Sequence, residues 1–170
     1  DVWSFPGGAI SRVDRSAAES HPEWLRERDD RVSVFALLRE MVEELGVAPD
    51  GLGGLTEVKA NVRAKVCADK TNWLRLMESG DLACEGFHCE MITDRITPPQ
   101  APARFHNLFF HVPTGDPGVT PTFPPGRSEF DEFRWWRPAD LIDSWEANEI
   151  RLPPPLVTLA RDLVKAIERE

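Results

Sequence analysis

The stretch Arg39-Glu-Met-Val-Glu-Glu-Leu-Gly46-Val47 constrains this chain more than any other. Its glutamates, Glu40, Glu43 and Glu44, stand at i, i+3 and i+4, so in a helix their carboxylates share one face about a turn long. Phe35, Leu38, Met41, Val42 and Leu45 fall on the opposite side, as in an amphipathic helix docked on a core. Gly46 follows the last periodic residue, where helices commonly end in a left-handed residue, so the pattern predicts a helix over 31–45. Like charges this close repel by about a few tenths of a kcal/mol per exposed pair, and Arg39 at i+4 from Glu43 offsets part of that. The cluster reads either as a solvated acidic face or as hard oxygen ligands for Mg²⁺ or Mn²⁺, and the local pattern leaves both open.

With 170 residues the chain is expected to form a single domain, 1–170, with a real core. A net charge of −9 argues against a nucleic-acid or anionic-membrane surface. A phosphate substrate then requires metal ions or a local arginine patch, and arginine supplies 16 of the 20 Lys and Arg residues. Cys67, Cys84 and Cys89 are too few for a secreted disulfide framework and lack paired C-x-x-C spacing, so they read as thiols rather than as a zinc site with His88. No apolar run reaches membrane length and no signal peptide is visible, which makes the cytoplasm the expected compartment. The chain starts without methionine, and an omitted amino-terminal segment is expected.

Along the chain, Trp3-Ser4-Phe5 reads as a strand running into the tight turn Pro6-Gly7-Gly8, where backbone can approach a ligand. Residues 9–30 read as a loop with a short helical piece, 50–54 as a turn, and 55–79 as helical with Trp73, Leu74 and Leu76 inward. Strands are expected over 87–93, 104–112 and 130–136, with a long loop of five prolines and three glycines at 113–128. A helix start is expected at 137–141, and Leu156, Leu159, Ala160, Leu163, Val164 and Ile167 form the stripe of a carboxy-terminal helix. Strands and helices without regular βαβ alternation indicate an α+β sandwich. His106 and His111 read as packing or supporting groups, and Trp135, Trp136 and Trp145 as core residues, with adenine stacking as the alternative.

Phe5-Pro-Gly-Gly8 followed by Arg39-Glu-x-x-Glu-Glu-x-Gly46 resembles the Nudix box, G-x5-E-x7-R-E-U-x-E-E-x-G-U with U apolar. The second half matches at every fixed position. In the first half Asp14 stands where the pattern has Glu, and 24 residues instead of seven separate it from Arg39. This insertion at 15–30, together with Asp14-Arg-Ser16, Trp24-Leu25, Ile96-Thr-Pro98, Arg104-Phe105, Phe109-Phe110 and Glu149-Ile-Arg-Leu-Pro-Pro-Pro155, resembles the acyl-coenzyme A diphosphatase branch. The family's usual first strands before the FPGG motif are missing from the sequence.

The resemblance implies a Nudix-type α/β/α sandwich with a mixed sheet and a helical insertion at about 55–79. It implies metal-dependent hydrolysis of a diphosphate, most simply coenzyme A or acyl-coenzyme A cut to 3′,5′-ADP and a 4′-phosphopantetheine. The alternatives are another nucleoside diphosphate derivative, such as ADP-ribose or a nucleotide sugar, and a non-catalytic Nudix binding module. The implied metal set is Gly8, through its carbonyl, with Glu40, Glu43, Glu44 and Glu129. Arg39 would orient a box glutamate, and Glu129, six residues before Trp135, would be a further ligand or general base, with Asp131 and Glu132 as rivals. Arg104 and Arg127 are the candidates for a 3′-phosphate. The expected partner is a small-molecule diphosphate, not nucleic acid or membrane, and a homodimer is compatible with this reading.

Overall fold

The computed structural model describes residues 2–25, 28–100, 103–115, 118–124 and 130–169. Its elements run α1 (Arg12–Ser20), α2 (Arg31–Glu40), a π turn (Met41–Leu45), β1 (Val47–Pro49), β2 (Leu55–Glu57), α3 (Ala60–Ala68), α4 (Thr71–Glu78), β3 (Glu90–Ile96), β4 (His106–His111), α5 (Pro138–Glu146) and α6 (Pro154–Ile167). Two compact units result, Pro6–Asp131, and Asp1–Phe5 with Glu132–Glu170.

The larger unit is built around α2. Val34, Phe35, Leu38 and Val42 are buried together with Ala17 and Ala18 of α1, Val62 and Val66 of α3, and Trp73, Leu76 and Met77 of α4. The Trp73 ring meets Phe35 edge-on at 5.8 Å, and Phe35 meets Trp24 at 6.1 Å. The helical piece expected within 9–30 is the nine-residue α1. It starts at Ser11, whose backbone N–H donates to the Asp14 carboxylate at 2.7 Å, a reciprocal contact typical of helix starts.

The helix expected over 31–45 is regular only to Glu40; Met41–Leu45 widen into a π turn. Such single wide turns insert one residue into the α-helical ladder. Gly46 ends it with φ 67°, and its N–H donates to the Val42 carbonyl at 3.2 Å. A side chain there would meet Thr122 Oγ1 and an Arg63 guanidinium nitrogen within 3 Å, so glycine is required by space as well as by φ.

The expectation of one helical stretch over 55–79 is corrected. Asp50 accepts the backbone N–H groups of Leu52 (2.7 Å) and Gly54 (3.0 Å), closing a turn that gives Leu55–Glu57 a strand partner. β1 and β2 then pair antiparallel, Val47 opposite Glu57 and Pro49 opposite Leu55. Helices α3 and α4 follow, and Asp69 accepts the Thr71 N–H at the start of α4. Strand β3 starts three residues later than the alternation of 87–93 suggests, and a bulge between Met91 and Thr93 breaks its register with β4. It pairs antiparallel with β4, from Glu90 opposite His111 to Ile96 opposite His106.

In the smaller unit, Leu141 and Ile142 of α5 pack with Val157 and Ala160 of α6, and Trp136 and Trp145 lie against them. Ile167, expected on the buried stripe, is 59% exposed at the carboxy-terminal end of α6. Neither 3–5 nor 130–136 is a strand; the described backbone offers them no ladder beyond the parallel bridge Val2–Arg151. Trp136 instead meets Trp3 edge-on at 5.9 Å, with the Arg134 guanidinium over both rings, while Trp135 is 66% exposed. The class is α+β, with the described strands arranged as two antiparallel pairs. No described helix is long and apolar enough to cross a membrane.

Candidate active site

Arg39 is fully buried, and each of its N–H donors has an acceptor. Nε and Nη2 grip the two Asp14 oxygens at 2.8 and 3.0 Å, and Nη2 also reaches the Ala9 carbonyl at 3.1 Å. Nη1 lies 2.8 Å from Glu40 Oε1 and 3.1 Å from Glu43 Oε2. Burial opposes the charge on Arg39, but the hydrogen bonds and field of Asp14, then of Glu40 and Glu43, outweigh it and raise its pKa above the ordinary guanidinium value. One side chain therefore ties the start of α1 to Glu40 at the end of α2 and Glu43 in the π turn.

Asp14 is the acid whose place the sequence left uncertain. It is fully buried, and its carboxylate accepts Arg39 twice and Ser11 through both N–H and hydroxyl. Helix α1 carries Asp14 against α2, so it reaches Arg39 although 24 residues stand between them in sequence. Its role is to fix Arg39; all its described bonds are to protein donors.

The Gly7-Gly8 turn crosses the same glutamates. The Gly7 N–H donates to Glu44 Oε2 at 2.7 Å. A Cβ on Gly8 would collide with the Glu40 carboxylate, so this glycine is required by the close approach of backbone to that acid. Glu40 is buried, and Glu43 and Glu44 are half-buried. Burial, then Glu40, pushes the Glu43 carboxyl above its ordinary value against the pull of Arg39 and Lys70. Glu43 Oε1 is buried with no hydrogen-bond partner among the described residues.

The carbonyl end of the π turn is held from outside. Arg63 of α3 donates to the Glu43 carbonyl through Nε (3.3 Å) and Nη2 (3.0 Å), to the Glu44 carbonyl at 2.8 Å, and to Thr122 Oγ1 at 3.1 Å. The Thr122 N–H donates to Leu45 O at 2.9 Å and the Val58 N–H to Gly46 O at 2.8 Å. The last carbonyls of a helix lack partners of their own, and here each is supplied by another segment. Burial lowers the Arg63 pKa, and its partners are neutral oxygens rather than a carboxylate. The sequence reading missed Arg63; its only signal was an arginine at the inward heptad-like spacing Val62, Arg63, Val66 of α3.

Of the predicted site residues, Gly8, Arg39, Glu40, Glu43 and Glu44 come together. Among the described residues no three His, Cys, Asp or Glu side chains are already gathered as a cation site. The reason is visible: Arg39 draws Glu40 and Glu43, and Gly7 draws Glu44. Even so, the donor set suits a hard cation: carboxylate oxygens on one helix, one of them buried and unpartnered, under a backbone turn that admits no Cβ. Glu129 and Arg127 lie outside the described residues. Arg104 is exposed, and of the rivals to Glu129, Asp131 is exposed and Glu132 pairs with Arg134 at 3.4 Å. His106 pairs with Asp94 on the exposed face of β3–β4 at 2.8 Å. Cys84 and Cys89 are buried free thiols.

No family model matches the chain. Its sequence is similar to that of a Caenorhabditis elegans protein described as "Putative nudix hydrolase 7", 27% identical over 157 residues, which are 90% of this chain and 47% of that protein. The chain thus spans about half the length of this curated relative. In three dimensions it is similar to the crystal structure of a NUDIX hydrolase from Alicyclobacillus acidocaldarius, with a TM-score of 0.75 at 24% identity, over 95% of this chain and 75% of that one.

Proposed function

We propose that this chain, whose fold is that of the Nudix hydrolases, is a metal-dependent diphosphatase acting on coenzyme A or its acyl esters. The observation that carries the hydrolase reading is the buried network in which Arg39, fixed by Asp14, positions Glu40 and Glu43 under the Gly7-Gly8 turn. A module that only binds has no physical need to hold two glutamates on one buried arginine with a third beside them, against their own repulsion. The sequence likeness to a nudix hydrolase supports the same reading.

Glu40, Glu43 and Glu44, with the Gly8 carbonyl, would hold Mg²⁺ or Mn²⁺. Such an ion supplies neutralisation of the diphosphate oxygens and makes water more acidic. The chain does the rest. Arg39 keeps two of the carboxylates oriented, so little reorganisation remains when substrate arrives. Arg63 and Thr122 bond the Glu43, Glu44 and Leu45 carbonyls and so fix the backbone of the π turn that carries Glu43 and Glu44. Glu129 remains the proposed further ligand or proton acceptor.

The coenzyme A assignment rests on the resemblance of the interrupted box and the later segments. Its test is incubation with Mg²⁺ or Mn²⁺ and a panel of diphosphates, with products identified by mass. Coenzyme A should yield 3′,5′-ADP and 4′-phosphopantetheine, faster than dephospho-coenzyme A and faster than ADP-ribose. Glu43→Gln and Glu44→Gln should each lower turnover by about two orders of magnitude or more. Faster cleavage of ADP-ribose or a nucleotide sugar moves the substrate to that class, and no cleavage of any diphosphate leaves a binding module.

A further inference from the structure

Helices α1 and α4 lie side by side and run in the same direction. At their amino-terminal ends, Asp14 grips Arg39 and Lys70 Nζ lies 3.8 Å from Glu43 Oε2, so both helices begin beside the box. At their other ends His21 Nε2 meets Glu78 Oε1 at 3.0 Å, and the His21 ring is stacked on Trp24. Between the helices runs a surface groove of about 430 Å³. From Thr71 to Glu78 it extends roughly 10 Å, at the helical rise of about 1.5 Å per residue.

The lining is mixed in a specific order. Arg12 stands at the box end, exposed and with no ion pair among the described residues. Val13 and Leu74 give the floor an apolar character, with the Ser16 and Thr71 hydroxyls beside them. Arg75 and Glu78 offer a donor and an acceptor toward the other end, where Glu78 also meets His21 through one carboxylate oxygen. The lining suits a ligand with an anionic group at the Arg12 end, an apolar group over Val13 and Leu74, and polar groups beyond it.

We propose that this groove binds the 4′-phosphopantetheine side of the substrate and is the element that selects it. The phosphate sits toward Arg12, the geminal dimethyl group lies on Val13 and Leu74, and the adjoining hydroxyl and first amide meet Ser16, Thr71, Arg75 and Glu78. ADP-ribose and nucleotide sugars place a hydroxylated ring in the same position and gain nothing from the apolar floor. This assignment rests on the coenzyme A reading and adds to it the residues that read the arm.

The test is calorimetric titration of the full chain, with Mg²⁺ present, using 4′-phosphopantetheine and, separately, 3′,5′-ADP. Ser16→Trp fills the groove and Arg12→Glu reverses the charge at its mouth. Each should weaken 4′-phosphopantetheine binding by about tenfold or more, the range a filled pocket costs, and leave 3′,5′-ADP binding unchanged. Arg12 is an exposed side chain, so Arg12→Glu serves if Ser16→Trp fails to fold, with far-UV circular dichroism as the check. Equal 4′-phosphopantetheine binding by wild type and both variants overturns the groove, as does no binding at millimolar ligand. Variant-sensitive binding without cleavage of any diphosphate upholds the groove and refutes the hydrolase. Coenzyme A cleavage with wild-type kcat/KM in both variants does the reverse.

Discussion

Asp14→Asn tests the contact on which the whole site depends. The Asp14 carboxylate accepts four hydrogen bonds, two from Arg39 and two from Ser11, and both Asp14 and Arg39 are fully buried. Asparagine keeps the shape but has one acceptor oxygen and turns an NH₂ toward donors on whichever side it faces. Arg39 would retain Glu40, Glu43 and the Ala9 carbonyl, so its charge is not left bare. Breaking a buried ion pair costs about 3–5 kcal/mol, and the retained partners place the expectation at the low end, about 3 kcal/mol. For a chain of this length that corresponds to a fall in Tm of roughly 6–12 °C. Urea unfolding at pH 7 followed by tryptophan fluorescence reads it directly, with the slope compared to ensure that only the midpoint moves. Turnover should fall as well, because Arg39 loses the anchor that aims it at Glu40 and Glu43. A loss of less than about 1 kcal/mol would refute the reasoning, since it lies in the range of an exposed pair.

Gly8→Ala should lower turnover by about tenfold or more and also cost some stability, because the new Cβ displaces the Glu40 carboxylate from its pairing with Arg39; kinetics at saturating Mg²⁺ beside a thermal melt separate the two effects. Arg63→Met should destabilise by about 1–3 kcal/mol and reduce activity, and Arg63→Lys should not restore either, since an ammonium cannot bridge the Glu43 and Glu44 carbonyls as the fork does. Burial pushes the Cys84 and Cys89 thiols up to about 11. The unfolded chain then loses these protons first, near pH 8.5, so stability should fall as pH rises from about 8.5 to 11, by up to roughly 3 kcal/mol per thiol. Urea midpoints across that window should fall less steeply in Cys84→Ala with Cys89→Ala.

The amino-acid order alone determined the local chemistry: which glutamates share a helix, that Gly46 ends it in the left-handed region, and that α5 begins at Pro138 and α6 carries an apolar stripe. Those features depend on neighbours within a few residues, where spacing and backbone preference act directly. The strand expectation at 130–136 failed for the complementary reason. A strand exists only through its partner, and among the described residues none pairs with that segment; Trp136 is held by Trp3 and Arg134 instead. Likewise the extent of the glutamate helix was legible but not its π turn, which is held by Arg63 and Thr122 from segments far along the chain. The pairing of Asp14 with Arg39, 25 positions apart, belongs to the same class: their separation obscures it in sequence, and only the packing of α1 against α2 brings the two charges into one dry site. Side chains that act on near neighbours can be read in order, whereas those that satisfy distant backbone or buried charge become visible only when the core has closed around them.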